Sequence, residues 1–145
     1  MNKDITALLA DLLVTAHRLT RIAAQATGST TPSAVWHTLS ILTTDGPLRI
    51  GELATMARVT QPSMTKVVQQ LVEEELVHRG TDATDSRAWL IGVTPAGIDA
   101  LDNWRSELAA TLEPMFSDLT AAEIATLTSA VDILRSHTAA DREAA

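Results

Sequence analysis

Between Arg49 and Gly97 the chain carries two short helix patterns, a polar hairpin pattern and a new helix start in unbroken succession. Few architectures accept those pieces in that order. The second helix is the best marked: Thr60 is placed to cap it with its hydroxyl, and Pro62 falls in the first turn, where a missing N–H costs nothing. Met64, Val67, Val68 and Leu71 then recur at steps of three and four, which predicts one buried stripe, and Leu76 and Val77 close the segment. In the helix before it, Ile50, Leu53, Ala54 and Ala57 form the inward face, with alanines small enough to let two helices pack closely at a steep angle. Arg58-Val59-Thr60 is short enough to be the turn of a helix-turn-helix. His78 and Arg79 lead as an extended stretch into a polar tip containing Gly80, Asp82, Asp85 and Ser86. Trp89 to Val93 returns as a short strand of aromatic and branched residues, so the hairpin is a wing.

The face of the second helix opposite its apolar stripe holds Gln61, Ser63, Thr65, Lys66, Gln69 and Gln70: donors and acceptors with a single cation. Glutamine pairs bidentately with adenine, serine and threonine bond several base edges, and the threonine methyl can touch that of thymine. Taken alone, this face is equally compatible with ordinary solvated surface. Arg87, near the hairpin tip, is a long cation that can reach a minor groove and respond to its width and potential.

These residues resemble the winged helix-turn-helix of the multiple-antibiotic-resistance regulator (MarR) family, whose wing carries Asp-x-Arg, a strand and then Thr-x-x-Gly. Here the pattern reads Asp85-Ser86-Arg87, Ala88 to Val93, and Thr94-Pro95-Ala96-Gly97. The resemblance implies a fold class that is mainly α with a small β-wing, a winged helix-turn-helix with terminal dimerisation helices. It implies a recognition helix over residues 61–75. The expected DNA contacts are Gln61, Pro62, Ser63, Thr65, Lys66, Gln69, Arg79 and Arg87, with Arg87 in the minor groove. Asp85 would hold the wing in shape through Arg87 or another arginine. Two positions depart from the pattern: Arg49 stands where the family often has a serine or threonine cap, and Glu75 replaces a glycine that tolerates a left-handed helix end better.

The net charge of −7 runs against DNA binding at first sight, since phosphate contacts carry much of the affinity. Position matters more than the total. Residues 49–92 hold five cations against six carboxylates, which leaves most of the acid elsewhere. The thin positive footprint predicts modest, salt-sensitive affinity that relies on two copies binding together. With no cysteine, release from DNA by thiol oxidation is excluded. His17, His37, His78 and His137 are too scattered to form a metal site, so neither metal nor cofactor is expected. No phosphate loop, nucleophile elbow or His-Glu-x-x-His occurs, and the expectation is a protein that is not an enzyme. The acidic start at Asp4 and the lack of a long apolar run argue for a cytoplasmic location without membrane contact.

Outside the head, Ile5, Leu8, Leu12, Leu19 and Ile22 repeat at helical spacing before Gly28 ends the segment. Thr94-Pro95 starts a helix bearing Ile98, Leu101, Trp104, Leu108 and Leu112, which Pro114 should end or kink. Thr120-Ala121-Ala122-Glu123 is a capping box ahead of Ile124, Leu127, Val131 and Leu134. The expected organisation is an N-terminal dimerisation helix over residues 1–30, a DNA-binding region over 31–94 and C-terminal dimerisation helices over 95–145, interlocked between two chains. An intramolecular helical bundle is the competing arrangement. By resemblance, the chain is a repressor that binds a palindromic operator as a homodimer and is released by a small aromatic or phenolic inducer. A winged-helix protein-interaction module, or an activator without ligand control, is the alternative. Residues 32–44 should form a helix joining the arms to the head. His17, Arg21, Trp36, His37 and Trp104 are the candidates to line a ligand pocket, although tryptophan on an apolar helical stripe more often fills core.

Overall fold

The computed structural model describes residues 4–81, 83–85 and 87–143. The chain divides into two compact units, Met1–Thr111 and Leu112–Ala145. The first contains α1 (Ile5–Thr27), α2 (Ser33–Asp45), β1 (Leu48–Arg49), α3 (Ile50–Ala57), α4 (Gln61–Glu73), β2 (Val77–Thr81), β3 (Trp89–Val93) and nearly all of α5 (Pro95–Leu112). The second holds a 3-10 turn (Glu113–Phe116) and α6 (Ala121–Glu143). This is the mainly helical, winged helix-turn-helix architecture that the motif order predicts.

The hairpin is part of a three-stranded antiparallel sheet in the order β1-β3-β2, in which Leu48 faces Ile91 and Arg79 faces Ile91 from the other side. The first strand has no sequence signal because two residues are too few to show an alternating pattern. Gly80, expected at the tip, is paired with Leu90 inside the ladder. Asp82 and Ser86 lie outside the described residues.

The core gathers Leu39 and Leu42 of α2, Leu53 of α3, Met64, Val68 and Leu71 of α4, Ile91 of β3 and Leu101 of α5, all essentially inaccessible. Each such side chain contributes about 2 kcal/mol through removal from water. Thr38 is the polar side chain buried among them, and its hydroxyl is satisfied by donating to the Ala34 carbonyl at 2.7 Å. The stripe predicted for α4 is therefore its packed face, with Val67 half-buried at the edge.

The recognition-helix candidate ends earlier than expected. α4 stops at Glu73, and the expected extension to Glu75 is corrected by the hydrogen bonds: the Glu75 N–H reaches the Val72 carbonyl at 3.0 Å and the Leu76 N–H reaches Leu71 at 2.9 Å. Those two bonds form a Schellman end with Glu75 left-handed at φ 60° and Leu76 folded back toward the core. α3 ends the same way: Arg58 is left-handed at φ 57°, its N–H bonds Thr55 at 3.1 Å, and the Val59 N–H bonds Ala54 at 3.1 Å. Neither position is glycine, so each carries about 1 kcal/mol of steric cost from its β-carbon.

Helix starts follow the sequence more closely. Thr60 caps α4 by accepting the Ser63 N–H at 3.2 Å. At α3, the Glu52 carboxylate accepts the Arg49 N–H at 3.3 Å, so the acidic third residue replaces the missing serine or threonine in part. Gly28 closes α1 in the left-handed region, and α5 ends at Leu112 before the 3-10 turn that contains Pro114.

Most of α1 is bare. Ala23 is its one buried residue, while Leu13 and Val14 are about 70% exposed. In the second unit the predicted capping box is present: Thr120 accepts the Glu123 N–H at 3.2 Å, and Glu123 accepts the Thr120 N–H at 2.8 Å. The backbone bond from Thr120, reinforced by its hydroxyl, holds the Glu123 carboxyl below the usual range. Ile124, Leu127, Val131 and Ile133 of α6 all remain exposed.

Candidate nucleic-acid interface

Burying Met64, Val68 and Leu71 turns the opposite face of α4 outward, and that rotation presents Gln61, Pro62, Ser63, Thr65, Lys66, Gln69 and Gln70 together as exposed residues. Their chemistry is partly set by local bonds. The Ser63 oxygen accepts the Thr60 hydroxyl at 2.9 Å, which leaves the serine proton available to a partner. Thr65 spends its proton on the Gln61 carbonyl at 2.9 Å, so it presents lone pairs and a methyl group. Gln70 is tied to Glu74 at 3.0 Å. Such a surface can read donor and acceptor patterns with little net attraction to phosphate, which must come from elsewhere.

On the wing, Arg79 and Arg87 are exposed. Asp85 acts on the main chain: its Oδ1 accepts the Arg87 N–H at 2.9 Å, and its carbonyl accepts the Ala88 N–H at 3.0 Å. The bond found for Asp85 is thus to the backbone of Arg87, a turn device that leaves the guanidinium outside that contact.

The Thr-x-x-Gly element has a mechanical role. Thr94 donates its hydroxyl to the Glu75 carbonyl at 2.7 Å and its N–H to the Leu76 carbonyl at 3.0 Å, while the same hydroxyl accepts the Gly97 N–H at 3.0 Å. One residue therefore caps α5 and pins the end of α4. Gly97 is required because a β-carbon there would strike the Leu76 carbonyl oxygen and lie 2.8 Å from a Val93 methyl. The wing base, the end of α4 and the start of α5 are locked at one point.

Among the described residues, the five expected around a ligand line two different clefts. His17 and Arg21 line an open cleft of about 360 Å³ along α1 with Leu13, Val14 and Arg18. Trp36, His37 and Trp104 line another of about 440 Å³, joined by Thr20, Ser40, Val59 and Arg105. The rings of Trp36 and Trp104 stack at 5.0 Å with an 11° tilt, so both fill space and form a wall. Among the described residues the buried Trp36 Nε1–H has no acceptor, and Arg105 donates to Ser40 Oγ at 3.1 Å. Nothing in the local sequence marks that pair, which folding brings together across 65 residues.

The MarR family model matches residues 32–89. The uncharacterized HTH-type transcriptional regulator YpoP of Bacillus subtilis is 33% identical over 89 residues, covering 61% of this chain and 63% of its own. The HTH-type transcriptional repressor IacR of Pseudomonas putida is 24% identical over 99 residues, covering 68% of this chain and 59% of its own. The match thus spans less than two thirds of the length of these relatives. A solved MarR family protein from Bacillus stearothermophilus shares the fold over 96% of this chain and 99% of its own, with a TM-score of 0.68 and 20% identity. Among the described residues no helix is long and apolar enough to cross a membrane.

Proposed function

Because this chain belongs to the MarR family, we propose that it is a sequence-specific DNA-binding transcriptional regulator, a homodimer that represses by occupying a palindromic operator and leaves it when a small aromatic or phenolic ligand binds. The observation that carries this reading is the exposed, nearly uncharged hydrogen-bonding face of α4 beside an arginine-bearing wing. Gln61, Ser63, Thr65 and Lys66 read base edges in the major groove, Pro62 and Gln69 flank them, Arg79 supports the wing contact and Arg87 enters the minor groove. Dimerisation is supported by the bare apolar faces of α1 and of α6, which water would otherwise cover. Repression draws support from the name of the IacR relative. Ligand release draws support from the cleft beside Trp36 and Trp104, whose flat wall and Arg105 suit an aromatic anion. No catalytic role and no cofactor form part of this proposal.

A footprint of the purified protein on its own promoter region, repeated with aromatic acids, tests it. Two protected half-sites about 34 Å apart, lost on adding the acid, are expected. A monomer in solution, or equal binding to scrambled duplex at low salt, overturns the reading. Retained protection with every acid tried removes the ligand clause alone.

A further inference from the structure

We propose that Arg58, in the turn between α3 and α4, binds a backbone phosphate of DNA beside the recognition helix; this rests on the DNA-binding reading above. Three observations converge on it. Arg58 occupies the left-handed position of a Schellman end, φ 57°, where glycine would sit without steric cost. Its side chain is exposed and has no hydrogen bond or ion pair among the described residues, so no contact within the fold accounts for an arginine there. It stands two residues before Thr60, the cap of α4. In a helix-turn-helix the first helix crosses the DNA backbone and the second enters the groove at its N-terminal end, so the turn joining them passes beside a sugar-phosphate strand. A long cation at that point meets phosphate oxygens, which a guanidinium binds bidentately.

Electrostatics supports the placement. The carboxylate of α3, Glu52, is at the far end of that helix and accepts the Arg49 N–H, leaving the Arg58 end free of acid on its own helix. The chain carries 11 Lys and Arg against 18 Asp and Glu, so phosphate attraction has to come from a few well-placed cations. Glu75 supplies the contrast: it is the same left-handed, non-glycine geometry at the other end of α4, with opposite charge and its carbonyl held by Thr94.

The experiment compares wild type, Arg58→Gly, Arg58→Lys and Glu75→Gly by thermal melting and by DNA affinity across a salt series. Both glycine variants are expected to melt about 3 °C higher, because both relieve the left-handed residue. Arg58→Gly is expected to bind operator about tenfold more weakly and to lower the slope of log affinity against log salt by about one unit per protomer. Arg58→Lys is expected to keep the slope, and Glu75→Gly to keep both slope and affinity. An Arg58→Gly protein that binds with unchanged slope while wild type binds normally overturns the phosphate contact and leaves the DNA-binding reading standing. A wild type that fails to bind duplex at low salt overturns both.

Discussion

The head and the terminal helices of this chain handle similar apolar patterns in opposite ways. In the head, Leu39, Leu53, Val68 and Leu71 are fully buried by α2, α3, α4 and the sheet of the same chain. Along α1, Ile5, Leu8, Leu9 and Leu13 are related by steps of three and four and stay exposed, as do Ile124, Leu127 and Val131 on α6. The periodicity is the same; the difference is whether the chain supplies a second surface. The head fills its core within one chain, with Leu101 of α5 among the core residues, and the bare faces of α1 and α6 are proposed to be covered by a second copy.

The sharpest way to break that contrast is to cut each side and watch protein concentration. Leu53→Ala empties a site with no exposure and should lower stability by about 3–4 kcal/mol, with a melting shift that denaturant unfolding reports at any concentration. If that loss vanished at high concentration, the head would depend on the partner too. Leu127→Asp should leave the circular dichroism of the head intact, shift sedimentation to the monomer, and weaken operator binding about 100-fold through lost avidity. Unchanged mass would place Leu127 outside the contact. Smaller effects sharpen the picture within each region. Glu75→Gly should raise stability by about 1 kcal/mol, measured by urea unfolding, because the left-handed residue then loses its β-carbon clash.

At the start of α6 the expected effect is smallest and depends on pH. The Glu123 carboxyl is held below its ordinary value by the Thr120 bonds, so its stabilising share is complete above the unfolded carboxylate range and is lost as pH falls through the lowered folded value. Glu123→Gln should flatten that acid-side dependence in a melting series from neutral pH downward, and an unaltered profile would remove the capping box as its source.

Much of the head is legible in the sequence because its signals are local. Thr60 and Pro62 mark the start of α4, the three-four spacing of Met64, Val68 and Leu71 marks its buried side, and the outward polar face follows by elimination. The same holds for the Thr120 to Glu123 box and for Gly28 at the end of α1. The end of α4 is harder to read. Without a glycine at position 75 the apolar pair Leu76-Val77 looks like continued helix, yet Leu76 is drawn back onto the core and Thr94, 19 residues on, takes the freed Glu75 carbonyl. β1 is invisible for a similar reason, since its two residues become a strand through β3.

The candidate site divides along the same line. Which residues α4 turns outward was determined by side-chain spacing, because a helix has one period and its apolar stripe must go inward. That Asp85 shapes the wing through the Arg87 main chain, that Thr-x-x-Gly is a lock between α4 and α5, and that the ligand candidates part into two clefts were decided by tertiary structure. The Thr94 lock and the Trp36–Trp104 cleft depend on contacts between segments far apart in the chain, where local propensity carries no information and packing chooses the partner. The Asp85 bond is instead a local turn, whose choice of the main chain over a guanidinium shows only in the folded geometry.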